Sequence, residues 1–310
     1  MKKLLVTMFV ALLMAGCGED EETTKVVEDD TATSAPEPSR EPSPAPAPAP
    51  GTPRPKPRTP PKKVSPAPVN LSTSAVEGKP FTIADLAMDM LWVKPGTFEM
   101  GRSSGTSDQI QHSVSLTEGF WLGKYEVTQA QWERVMGGNP SEFKGASRPV
   151  EMVSWTEVSA FCEKLTELER KAQRLPADMA YQLPTEAQWE YACRAGTKTA
   201  FSFGESLISE QANIAGGPGE TAVGKYPANA WGFHDMHGNV WEWVADWYED
   251  YPSGAARDPG GPGDGSGRVI RGGSRKYPEL FARSANRSGI EPALSLDSLG
   301  FRLSLRPASQ

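Results

Sequence analysis

The prolines and the tryptophans of this chain occupy different territory. Fourteen of its 28 prolines fall between Pro36 and Pro68, whereas all nine tryptophans fall between Trp92 and Trp247. A proline-dense stretch without large rings cannot bury enough apolar surface to offset the entropy of ordering it, and a tryptophan-rich stretch can. The 310 residues therefore divide into a leader over 1–16, a tether over 17–78 and one globular domain over 79–310. The domain carries 23 basic and 29 acidic side chains, a net of 23 − 29 = −6. Nucleic acid is accordingly not expected as a partner, since its binders present a basic face. Three cysteines exclude a disulfide-built miniprotein and a four-cysteine zinc site.

Lys2 and Lys3 precede an apolar run from Leu4 to Ala15, the length of a signal-peptide core and too short to span a bilayer. The run ends in Leu13-Met14-Ala15-Gly16-Cys17, which resembles the lipobox of bacterial lipoproteins. There the cysteine is acylated and becomes the new amino terminus. Cleavage at this point leaves a net charge of 30 − 39 = −9 and a bilayer contact through acylated Cys17. Gly18 stands where an aspartate signals inner-membrane retention, so the outer membrane of a bacterial envelope is expected. Beyond it, the acidic Glu19–Asp30 stretch leads into Pro-Ala alternation over Pro42–Pro50. Arg54, Lys56, Arg58, Lys62 and Lys63 then alternate with prolines. This composition favours polyproline II, and residues 35–70 extend to roughly 110 Å at ~3.1 Å per residue. It reads as a spacer.

Three helix starts are legible in the domain. Thr128-Gln129-Ala130-Gln131, Ser154-Trp155-Thr156-Glu157 and Thr185-Glu186-Ala187-Gln188 each place a hydroxyl three residues before Glu or Gln, the pattern of a capping box. After the second, Trp155, Val158, Phe161, Cys162, Leu165 and Leu168 recur at helical spacing and predict one apolar face. Strands are predicted at Met90–Val93, Thr97–Met100, Ser113–Leu116, Val240–Val244, Arg268–Ile270 and Phe301–Leu305. The connections are glycine-rich, above all Pro252–Gly267. An α+β fold of irregular build follows, with little regular secondary structure.

Several blocks occur in a fixed order: Val93-Lys94-Pro95-Gly96-Thr97-Phe98-Glu99-Met100-Gly101, Tyr125-Glu126-Val127-Thr128, Leu183-Pro184-Thr185-Glu186-Ala187-Gln188-Trp189-Glu190-Tyr191-Ala192, Gly238-Asn239-Val240-Trp241-Glu242-Trp243, Arg271-Gly272-Gly273-Ser274 and Gly300-Phe301-Arg302. Together they resemble the formylglycine-generating enzyme, or sulfatase-modifying factor, family over most of residues 88–306. The resemblance implies a C-type-lectin-like fold with bound calcium, and in the namesake enzymes a copper- and oxygen-dependent oxidation of a sulfatase cysteine. That chemistry uses two cysteines after the Gly-Gly-Ser turn, because copper(I) needs soft ligands. Here Gly272–Arg283 contains none, so copper and formylglycine formation are not expected and no catalytic residue is assigned.

The resemblance further implies a calcium site from the side chains of Asp235 and Glu242 and the carbonyls of Gly238 and Val240. A second is only half matched, by Asn213 and Ile214. It implies disulfide partners for Cys162 and Cys193 near Leu303 and Ser284, neither a cysteine. Two buried free thiols are expected, with a Cys162–Cys193 bridge as the alternative. His112, His234 and His237 read as hydrogen-bonded or solvated rather than as a metal group. Trp243, Ser274, Arg275, Tyr277, Arg283 and Arg287 are candidates for an anion- or sugar-binding groove. Arg271 and Arg302 are expected to be structural, and Arg275, Lys276 and Tyr277 to lie at the surface. The function expected is a non-catalytic, calcium-stabilised binding or scaffold module for an envelope protein or glycan, as in gliding-motility and lectin-fold display lipoproteins. The rival is an envelope oxidoreductase of altered chemistry, as in pyoverdine-maturation relatives.

Overall fold

Each of the three capping boxes starts a helix. In the computed structural model, which describes residues 74–103, 109–217 and 219–308, α1 spans Gln129–Met136, α2 Trp155–Lys171 and α3 Glu186–Arg194. Thr128, Ser154 and Thr185 each accept the N3 amide while the N3 side chain takes the cap amide, so two otherwise orphaned donors are satisfied at each start. The expected leader, Cys17 and most of the tether lie outside the described residues. Helix α2 buries Val158, Phe161, Cys162 and Leu165 as its spacing predicts, but Leu168 is exposed. Glu169 takes the inward position instead and binds Arg174 at 2.5 Å.

Among the described residues, twelve strands form three sheets. β1 (Phe81–Ile83), β2 (Met88–Val93), β5 (Phe120–Gly123), β12 (Ser304–Pro307) and β6 (Met179–Gln182) lie side by side in that order. The second sheet runs β10 (Arg287–Ile290), β9 (Arg268–Arg271), β7 (Trp241–Trp247) and β11 (Leu299–Phe301), and the third β3 (Gly96–Met100), β4 (His112–Leu116) and β8 (Ala256–Arg257). The main core joins Trp189 and Ala192 of α3 to Phe120, Leu122, Phe233, Val244 and Val269. Trp132 stacks on Phe161 at 5.3 Å, and both rings meet Phe301.

The segment read from sequence as one strand over Phe301–Leu305 is two. β11 pairs parallel with β7, whereas β12 pairs antiparallel with β5 and β6. The break falls at Arg302 and Leu303, because the Arg302 guanidinium turns inward and the Leu303 carbonyl accepts the Gly123 amide at 2.7 Å.

Candidate functional site

The loop before β7 is wound through left-handed conformations, with Asp235 at φ 57°, Gly238 at 93° and Asn239 at 63°. Gly, Asn and Asp adopt this region at least cost. Gly238 is needed for space as well, since a Cβ there would stand 2.4 Å from the Asn213 carbonyl oxygen. The turn delivers Glu242 into the interior. Arg302 grips it with Nε to Oε2 at 2.7 Å and Nη2 to Oε1 at 2.6 Å, and Trp189 Nε1 donates to Oε2 at 2.7 Å. Arg302 also donates to the carbonyls of Gly123 and His234, the structural role expected of it.

Two further acids share this neighbourhood. Asp235 accepts the Gly224 amide at Oδ2, 2.6 Å away, and Glu126 accepts Asn239 Nδ2 at 2.9 Å. Burial, then the charges of Asp235 and Glu242, hold Glu126 well above the usual carboxylate range. Burial, reinforced by Glu242, raises Asp235 to about 6 against the Gly224 hydrogen bond. Three buried carboxylates thus face one guanidinium, 1 − 3 = −2 when all are ionised. An oxygen-only, anionic set suits a hard divalent cation. Asp235 Oδ1 meets no donor among the described residues, so that side chain fits calcium. Glu242 differs, because both its oxygens are held by Arg302 and Trp189. Among the described residues no three His, Cys, Asp or Glu side chains form a metal cluster, so backbone carbonyls would have to complete any cage. Asn213, the weaker candidate, spends its amide on the Gly219 carbonyl and Asn239, and its carbonyl accepts the Asn239 amide.

Several groove candidates are already committed. Trp243 is fully buried with Nε1 on the Val153 carbonyl, which makes it core. Arg275 is buried rather than superficial: it donates to Glu220 at 2.7 Å and lies over the Phe143 ring. Arg287 makes two bonds to Glu186, of 2.6 and 2.7 Å, between the rings of Tyr248 and Tyr251. Arg271 pairs with Glu190. One cause covers all of these: in a loop-rich interior the guanidinium supplies five donors to carbonyls and acids that regular structure would otherwise satisfy. Ser274 is buried, whereas Lys276, Tyr277 and Arg283 are half-buried, and Lys276 binds Asp297 at 2.6 Å. The acidic partners Glu126, Glu186, Glu190 and Glu220 received no role from sequence. Three of them stand inside the recognised blocks, the only signal that pointed to them.

Both described cysteines are free and buried. Cys193 Sγ lies 3.6 Å from Ser284 Oγ, the neighbour expected from the missing disulfide. Burial pushes the Cys193 thiol up to about 12 and Cys162 higher still. His237 is held by the Ala282 carbonyl at Nδ1 and by the Ser202 amide and hydroxyl at Nε2, and burial lowers its pKa to about 4. His234 and His112 bind the Tyr226 and Ile110 carbonyls through Nδ1. The three do not converge as a metal group among the described residues.

Short strands in three small sheets, three capped helices and an interior of arginine–carboxylate pairs define an α+β protein of the sulfatase-modifying-factor type. Residues 78–306 match the model of the "Sulfatase-modifying factor enzyme 1-like domain", and the chain belongs to that family. It is 32% identical over 228 residues to "Chaperone protein LppX" of Paenibacillus barcinonensis, covering 59% of this chain and 78% of that protein. It is 30% identical over 219 residues to the formylglycine-generating enzyme of Mus musculus, covering 63% of this chain and 54% of the enzyme. The chain thus spans about half the length of that enzyme. "Treponema denticola variable protein 1" superimposes with a TM-score of 0.67 at 30% identity, over 74% of this chain and 99% of that one.

Proposed function

We propose that this chain is a non-catalytic member of its family, held at a bacterial envelope membrane through acylated Cys17 and acting as a calcium-stabilised binding or scaffold module. The observation that carries the reading is the Gly272–Arg283 segment, which keeps the family's Gly-Gly-Ser turn and has no cysteine after it. The two cysteines of the domain, Cys162 and Cys193, are buried, stand before that turn and lie on separate helices. A relative that bears the name of a chaperone, "Chaperone protein LppX", supports work on a partner protein rather than on a sulfatase cysteine. Calcium would sit at Asp235 with the carbonyls of Gly238 and Val240, balancing the charge that Arg302 leaves over, and would supply electrostatic and conformational stability. Incubating the protein with a sulfatase-type cysteine peptide, copper and oxygen, followed by mass spectrometry, tests the catalytic half. Formylglycine above a no-protein control would overturn it. Cys17→Ser tests the anchor: palmitate labelling and membrane pelleting should both be lost, and their survival would refute lipidation.

A further inference from the structure

A cleft of roughly 320 Å³ opens beside the N-terminus of α3, lined by the end of β7, Tyr251 and the loop over Pro259–Pro262. Its charge is one-sided. Glu186, Asp246, Glu249 and Asp250 line it against one lining guanidinium, Arg287, whose charge is already matched by Glu186, while Arg306 and Arg268 act on Asp246 from outside the lining. Two buried side chains present acceptors to it. Asp246, 4% exposed, takes the Glu186 amide at Oδ2, 2.7 Å away, and no donor among the described residues meets Oδ1. Gly261 sits over that oxygen, where even a Cβ would come within 3.2 Å. His112, 7% exposed, spends Nδ1 on the Ile110 carbonyl, and its Nε2 has no partner among the described residues.

The aromatic walls narrow the ligand class. Trp247 carries the Arg268 guanidinium 3.6 Å from its ring centre, and Tyr251 carries Arg287 at 4.3 Å and the His112 ring at 4.7 Å. These contacts already occupy ring surface on both walls, which favours recognition by charge and hydrogen bonds over stacking. We infer that this cleft binds an organic cation with N–H donors, an amine or guanidinium of the size of a lysine or arginine side chain, with Asp246 as counter-ion and His112 Nε2 as second acceptor. Burial and the charge of Glu186 otherwise push Asp246 up to about 7, a penalty that a bound cation relieves. The inference does not rest on the anchoring or calcium reading.

Calorimetric titration of the full chain at low ionic strength tests it with three probes: 1,5-diaminopentane, Nα-acetyl-lysine amide and the neutral Nα-acetyl-norleucine amide. Both amines share the recognised group, and the tighter of the two tells a free amine from a polypeptide side chain. Norleucine amide should not bind. Asp246→Asn keeps an oxygen for the Glu186 amide and should weaken amine binding by about 10- to 100-fold. Should that variant not fold, the lysine–norleucine comparison on wild type decides alone. Equal binding of norleucine amide, unchanged affinity in Asp246→Asn, or no binding of either amine up to about 10 mM would overturn the inference.

Discussion

Asp235→Asn distinguishes a cation site from an ordinary turn because its two effects have opposite signs. Burial and Glu242 hold the Asp235 carboxyl near 6, against 3.8 for an unperturbed group. A carboxyl whose folded pKa is raised costs stability above that pKa, and the cost vanishes as pH falls toward the unfolded value. At neutral pH and above, the difference corresponds to about 3 kcal/mol. Asparagine keeps an oxygen for the Gly224 amide and accepts the left-handed φ of 57°. In chelator the variant should therefore melt above wild type, by roughly 6–12 °C for a domain of this size.

Calcium closes that gap. A ligand at a hundredfold excess over its Kd adds about 2.7 kcal/mol to the native state. Wild type should gain that increment, and Asp235→Asn should lose most of it. The assay is thermal unfolding by circular dichroism of both proteins in chelator and in millimolar calcium, with magnesium as a weaker comparator because of its tighter octahedral geometry. A variant that melts below wild type in chelator, or that gains as much from calcium as wild type does, refutes the reasoning. Glu242→Gln is the poorer probe, since it also leaves the Arg302 charge short of its partner.

Arg302→Lys keeps the charge but cannot bind Glu242 through two nitrogens while reaching the carbonyls of Gly123 and His234. It should cost about 3–5 kcal/mol, read as the midpoint of urea unfolding. Stability should rise by a few degrees from about pH 8 to pH 6.5, because Glu151, Asp235 and Asp246 have raised pKa values and take up protons in the folded state first. Below that, His234 and His237, whose pKa values are lowered by burial, oppose it, and melts across the range would show a maximum near pH 6. Ser154→Ala removes one cap oxygen from α2 and should cost about 1 kcal/mol, or roughly 2–4 °C, and a loss several times larger would mean the box does more than start a helix.

What the sequence made legible was whatever is decided locally. A capping box involves four residues, and all three were found with their caps in register. Alternating strands such as β2 and β4 were found because one face is less buried than the other. β5 and β10 were not, because both of their faces are buried, which removes the alternation, and neither Phe-Trp-Leu-Gly nor Arg-Ser-Gly-Ile carries the β-branched pair that marks β9. The arginine pairs were illegible for another reason. Arg302 and Glu242 are 60 positions apart and Arg287 and Glu186 are 101 apart, so nothing nearby marks which guanidinium is inside. The surface position expected for Arg275 fails for that reason. The Asp235 turn was legible only through the family blocks, and the cleft at Asp246 not at all.

The placement of β12 between β5 and β6 bears on how the chain is made. Those two strands have no other partner on the sides that β12 fills, so the five-stranded sheet remains two fragments until residues 304–307 have left the ribosome. A nascent chain of this design cannot finish folding from its amino terminus as it emerges, and its parallel pairing of β11 with β7 adds a second closure of long sequence separation. Such a polypeptide stays threadable through most of its synthesis. On the acylation at Cys17 proposed above, the chain crosses a membrane before it folds, and a sheet that closes last suits that passage.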